Sequence, residues 1–149
     1  FNFTMPEATG VVAAFAPDDS SLLGLISIVA PVIAGGNTIV VLASGKKPIS
    51  SISFAEVLHT SDVPGGVVNI LTGQRIELLE HFSSHMDVNA MIYCGSDKDD
   101  IELVETNAAL NVKRAIIFSD EKWDKDSGQG PYHIIKTQET KTTWHPVGV

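Results

Sequence analysis

The sequence predicts an α/β fold built on a doubly wound parallel sheet, and three observations carry the prediction. Short apolar, β-branched runs recur at Val11 to Ala16, Asn37 to Ala43, Val67 to Leu71, Asn89 to Cys94 and Lys113 to Phe118; such near-continuous runs read as strands covered on both faces. Segments of helical period separate them, and Gly or Pro marks most junctions. Strands alternating with helices, joined by right-handed crossovers, give a Rossmann-like topology.

Each element has its own signal. Val11 to Ala16 ends at Pro17, and Asp18-Asp19-Ser20-Ser21 supplies N-cap candidates for a helix that begins near Leu22. That helix is expected to bend near Pro31 and stop at Gly35-Gly36. Asn37 to Ala43 is the second strand. Pro48 opens a helix carrying Ile52, Phe54, Val57 and Leu58, and Pro64-Gly65-Gly66 turns into the third strand. Gln74 to Ser84 is expected to place Ile76, Leu79 and Phe82 on one buried helical face. Asn89 to Cys94, Lys98 to Leu110 and Lys113 to Phe118 complete the cadence as strand, helix and strand.

The cadence ends at Ser119, which bounds a nucleotide-binding-type domain over 1–119. Residues 120–131 are polar and Gly-containing and are expected to form a linker. Tyr132 to Trp144 alternates loosely and is rich in Thr, predicting one long exposed strand or a hairpin arm, a C-terminal extended β arm over 132–149. Such a strand cannot build its own core. Its partner is expected to be this sheet, another subunit, or another domain of a parent protein.

Composition narrows the function classes. The 149 residues carry 44% hydrophobic side chains and a net charge of −8, with no basic cluster. That balance excludes nucleic acid and anionic membrane surfaces as expected partners. Leu22 to Gly36, the longest apolar run, is too short to span a membrane, and no leader pattern is visible. Cys94 is the only cysteine, so a reduced, cytoplasmic setting is expected, with no disulfide and no thiolate metal site. A start at Phe1 without Met is expected of a piece of a longer protein.

Candidate chemistry is sparse. Cys94 sits at a strand end before a helix but among acidic residues, and reads as a packed residue rather than a nucleophile. His81 and His85 share a four-residue spacing without a third ligand, so no metal site is expected. Asp97, Asp99 and Asp100 read as an acidic helix start, Lys46-Lys47 as a solvated turn, and Trp144 as an interface candidate.

Several linked segments resemble the cofactor domain of aldehyde dehydrogenases. Gly10-Val11-Val12 resembles the opening of that family's first strand, and Ala30-Pro31-Val32-Ile33-Ala34-Gly35-Gly36-Asn37-Thr38 its A-P-A-L-A-A-G-N-T run. Pro64-Gly65-Gly66-Val67-Val68-Asn69 with Thr72-Gly73 resembles P-P-G-V-V-N-V-V-T-G. His85-Met86-Asp87-Val88 and Tyr93-Cys94-Gly95-Ser96 resemble H-P-D-V and F-T-G-S.

The resemblance also shows where this chain departs. Asp19 stands where the family places the Asn that donates to the oxyanion, and an ionised carboxylate has the wrong sign there. Leu42-Ala43-Ser44-Gly45 replaces K-P-S-E, so both ribose contacts, at Leu42 and Gly45, are lost. Gly95-Ser96-Asp97-Lys98-Asp99-Asp100 replaces G-S-T-x-x-G, putting carboxylates, Asp100 among them, where the family receives a pyrophosphate. Phe118 and the residues after it replace E-L-G-G-K and its general-base Glu.

Ser127-Gly128-Gln129-Gly130 and the stretch to Trp144 resemble the family's C-terminal ending, whose strand pairs with a neighbouring subunit. The catalytic domain that carries the nucleophilic Cys is absent between the two parts. The layout is similar to the degenerate second domain of tandem family-sixteen aldehyde dehydrogenases. It implies a pseudoenzyme domain with no catalytic residues and no bound NAD. Lys141, Thr142 and Trp144 would then meet a protein partner, either a second copy or the catalytic domain of the parent chain. The alternative is an NAD(P)- or small-ligand-binding part of a dehydrogenase whose Cys and Glu come from another domain.

Overall fold

The computed structural model describes residues 1–148. The chain opens with β1 (Asn2–Ala8), which stands outside the main sheet. It then alternates through β2 (Val11–Phe15), α1 (Leu23–Ala34), β3 (Thr38–Leu42), α2 (Ile49–His59), β4 (Val68–Leu71), α3 (Arg75–Ser84), β5 (Ala90–Cys94), α4 (Lys98–Leu110) and β6 (Arg114–Phe118). A 3₁₀ turn (Asp126–Gln129), the one-turn helix α5 (His133–Lys136) and β7 (Gln138–Trp144) finish it.

The five central strands are all parallel and lie in the order β4-β3-β2-β5-β6. Ala14 pairs with Val41 on one side and Ile92 on the other, which fixes the register at the centre. Because β2 is central, its alternate side chains enter two different cores. Val12 and Ala14 join Leu25, Ile28, Val29 and Val32 of α1. Ala13 and Phe15 join Leu79 of α3 and Val104 of α4 on the opposite face. Each buried Val, Leu, Ile or Phe among these contributes about 1.5–3 kcal/mol by leaving water. This is the doubly wound, Rossmann-like α/β sheet that the sequence predicts.

Some local features differ from expectation. Asp18 and Asp19 do not cap α1; the helix begins at Leu23, Leu22 makes no side-chain cap, and Ser20 Oγ accepts from Gly24 N at 3.1 Å. The helix runs through Pro31 to Ala34, and Gly36, at φ 84°, reverses the chain into β3. In α3, Leu79 is buried but Ile76 is 86% exposed.

The tail differs most. Residues 120–131, expected as a linker, are packed: Trp123 is 4% exposed and joins the core beside Phe118. The stretch from Tyr132, expected to be extended throughout, first forms α5 and becomes a strand only at Gln138. The arm's partner is β1, which lay unassigned in the sequence; the two pair antiparallel from Asn2↔Trp144 to Ala8↔Gln138. Val149, the last residue of the expected arm, lies outside the described residues.

Candidate functional site

The order of the strands reverses between β2 and β5, and a crevice lies at their carboxyl ends. Two cavities occupy it. One, of ≈ 280 Å³, is lined by Asp19, Cys94, Gly95, Ser96, Phe118 and Trp123 among others. The second, of ≈ 250 Å³, is lined by Phe15, Asp18, Leu42, Gly45 and Gly73 among others. Asp18, Lys46 and Arg75 line both. A larger concavity of ≈ 460 Å³ lies away from the strand ends, between α2 and the β4 edge, with His59 as its one titratable side chain.

Arg75 was not singled out by the sequence. Its guanidinium carbon stands 4.9 Å from the centre of the Tyr93 ring and 5.7 Å from that of Phe15. Its Nη2 donates to the Ala16 carbonyl at 3.2 Å. The side chain is therefore held by one aromatic ring from each of the two strands that flank the crevice, a cation–π arrangement. No short-range pattern reveals this, because the three residues come from separate elements.

Tyr93 is fully buried and donates its hydroxyl to Asp100 Oδ2 at 2.6 Å. Burial, with the Asp100 carboxylate, pushes the phenol up to about 12, against an opposing pull from Arg75. Asp100 thus faces inward onto a phenol. The helix start is also self-satisfied, since Asp97 Oδ1 accepts from the backbone N–H groups of Asp99 (3.0 Å) and Asp100 (3.1 Å).

The loop after β3 is clamped from across the crevice. Asp18 Oδ1 accepts from Gly45 N at 2.9 Å and from Ser44 Oγ at 3.1 Å. Leu42 is buried, and Gly45 sits under this carboxylate. Asp18, expected as a helix cap, is instead the loop's anchor. Asp19 is exposed at the rim.

Phe118 belongs to the core. Its ring packs against Trp123 (5.3 Å) and His133 (5.3 Å), with Lys136 Nζ 4.2 Å from its centre. Cys94 is 3% exposed, and burial pushes its thiol well above the ordinary range, so it is held protonated. Among the described residues, no three His, Cys, Asp or Glu side chains are placed to hold a metal ion. Among them, too, no helix is long and apolar enough to cross a membrane.

The three interface candidates lie on the β1–β7 ribbon, on opposite faces. Thr142 faces Thr4, with hydroxyls 2.9 Å apart, on the same side as Trp144, which is 79% exposed. Lys141 pairs with Glu7 at 2.8 Å on the other side, beside Phe1, Phe3 and Met5. The exposed Glu7 carboxylate raises the Lys141 pKa. Both ribbon faces are almost wholly open, and a two-stranded ribbon is marginal without further packing.

The ribbon's root is firm. Asn37, 2% exposed, accepts from Gly10 N at 2.8 Å and donates to the Thr137 carbonyl at 2.9 Å. Arg114 Nη1 donates to the carbonyls of Lys136 (3.1 Å) and Gln138 (2.7 Å). The sequence offered Asn37 as a strand start and as part of a matching run.

Comparison with known proteins agrees with this architecture. The model of the aldehyde dehydrogenase family matches residues 1–118. Aldehyde dehydrogenase 1A1 of Equus caballus is 31% identical over 142 residues, covering 95% of this chain and 27% of that protein. The NADP/NAD-dependent aldehyde dehydrogenase PuuC of Escherichia coli is 32% identical over 108 residues, covering 72% of this chain and 22% of its own length. Among solved structures, aldehyde dehydrogenase C of Pseudomonas syringae, in complex with NAD+ and octanal, superposes with a TM-score of 0.73 at 32% identity. That match covers 78% of this chain and 24% of the other. The chain spans about a quarter of the length of the relatives it matches. On the family match and the shared parallel sheet, the chain belongs to the aldehyde dehydrogenase family.

Proposed function

We propose that this chain is a non-catalytic segment of an aldehyde-dehydrogenase-type protein, of the degenerate tandem family-sixteen kind, that serves assembly. The observation that carries the reading is the state of the crevice. Its polar groups are committed to one another: Asp18 to Gly45 and Ser44, Asp97 to the first amides of α4, and Asp100 to Tyr93. These residues do not fit a dinucleotide. The α4 amides that would receive a pyrophosphate already serve Asp97, and carboxylates surround them. Leu42 and Gly45 offer no side-chain donor for a ribose.

The assembly role rests on the ribbon. Phe1, Phe3 and Met5 form an apolar stripe on one face, and Trp144 stands out on the other. Lys141, Thr142 and Trp144 are the positions we assign to the contact. The partner is a second copy or the catalytic domain of the parent protein.

The test is a mass measurement by light scattering, on the chain alone and mixed with that catalytic domain. Either the chain alone is expected to exceed its monomer mass of 15.9 kDa, or the mixture is expected to show a species heavier than either component. Replacing Phe3 and Trp144 by Glu is expected to abolish it, because both lie exposed on the ribbon, away from the core. A free monomer in both cases would contradict the assembly role. The alternative, a cofactor-binding half whose Cys and Glu come from another domain, requires a crevice open to nucleotide and would reveal itself as nucleotide affinity.

A further inference from the structure

The two edges of the β1–β7 ribbon are not alike. Phe1 exchanges two main-chain hydrogen bonds with His145, at 3.1 and 2.8 Å, and Thr9 N donates to the Thr137 carbonyl at 3.2 Å. With the register between them, the odd-numbered residues of both strands bond across the ribbon, and the even-numbered ones turn their main-chain groups outward. On β1 these are Asn2, Thr4, Pro6 and Ala8, so a proline without an N–H sits within that edge. On β7 they are Gln138, Thr140, Thr142 and Trp144, and every one has an N–H to give. The Gln138 carbonyl already receives Arg114 Nη1 at 2.7 Å.

We propose that this edge of β7 takes the same edge of a second copy, antiparallel about a two-fold axis at Thr140, so that two ribbons join as one four-stranded sheet. The proposal rests on the assembly role given to the ribbon and names its partner.

An open strand edge is a template for another strand, and a two-stranded ribbon that is marginal by itself gains from becoming four-stranded. Charge then selects the second copy and its register. Outward groups must meet outward groups, so the axis falls on a residue of β7. An axis at Lys141 would set two ammonium groups directly opposite each other, and one at Thr142 would leave Lys141 facing a threonine. An axis at Thr140 sets Glu139 opposite the partner's Lys141, twice, in the closely spaced pairs of the new ladder. Lys141, which already meets Glu7 at 2.8 Å, is then held between two carboxylates.

Light scattering of the chain alone is expected to show a mass twice the 15.9 kDa of the monomer. Thr140→Pro removes an outward N–H from each copy and spares the bonds between β1 and β7; it is expected to weaken the dimer about tenfold or more. Glu139→Lys, which sets like charges opposite each other between copies but suits Glu7 within the chain, is expected to weaken it about fivefold. Adding Lys141→Glu to that variant is expected to restore it. Thr140→Cys is expected to form a disulfide between copies under mild oxidation, the axis setting the two Cα atoms about 5.5 Å apart. The wild-type chain, whose Cys94 is buried, is expected to form none. A chain that is monomeric alone and gains mass only with the catalytic domain would keep the assembly role and overturn this pairing. A monomer in both cases would contradict both. A dimer indifferent to Thr140→Pro, or a Thr140→Cys variant that does not cross-link, would also overturn the pairing.

Discussion

Trp123→Ala is expected to cost about 3–5 kcal/mol, the range for truncating a large buried aromatic. Trp123 is 4% exposed and packs edge-on to Phe118 at 5.3 Å, closing the core beyond the end of β6. The chain around it is built to hold it. Gln129 Nε2 donates to the Trp123 carbonyl at 2.6 Å and to Ser27 Oγ of α1 at 2.7 Å. Gly128 passes so close that an added Cβ would stand 2.6 Å from the Lys122 carbonyl and 2.9 Å from the Trp123 Cα. Removing the indole therefore leaves a cavity and unfastens residues 120–131 from α1. Urea unfolding followed by far-UV circular dichroism reads the cost, and a loss below about 1 kcal/mol would place Trp123 outside the core.

Asn37→Ala is expected to cost about 2–4 kcal/mol. It strips partners from the Gly10 N–H and weakens the satisfaction of the Thr137 carbonyl, and buried polar groups left unsatisfied cost about 1–3 kcal/mol each. The Thr137 carbonyl also receives the Thr9 N–H at 3.2 Å, so the loss concentrates where β1 and β7 leave the domain. Asn37→Asp keeps the acceptor for Gly10 but turns a carboxylate toward the Thr137 carbonyl; it is expected to be no milder. Amide exchange distinguishes this from general weakening, with Gly10 and the ribbon losing protection before β2 and β5 do. Uniform loss across the sheet, or none, would contradict the keystone role.

The sheet was legible because its strands are buried on both faces, which writes them as unbroken apolar runs such as Val11 to Phe15. Helix α4 was legible to its bounds, since Asp97 supplies a local cap just ahead of Lys98. Residues whose roles depend on distant partners were not legible. Strand β1, with Pro6 in its middle and an exposed surface, carries no buried face and takes its form from β7. Asp18 has the sequence context of a helix cap but finds the Gly45 N–H across the crevice instead. Arg75 opens a helix as any polar residue can, and only the convergence of Phe15 and Tyr93 gives it a place to lie. The departures from the family pattern that the sequence suggests at Asp19, Leu42, Gly45 and Phe118 are read one position at a time. The bonds of Asp18 to Gly45 and of Tyr93 to Asp100 required the folded chain.

The central claim is that this crevice no longer accepts a dinucleotide. Isothermal titration of the folded chain with NAD and with NADP tests it most directly. The account predicts no saturable heat up to about 1 mM ligand, which corresponds to binding weaker than about 4 kcal/mol. Saturable binding of either nucleotide at micromolar concentration would contradict it.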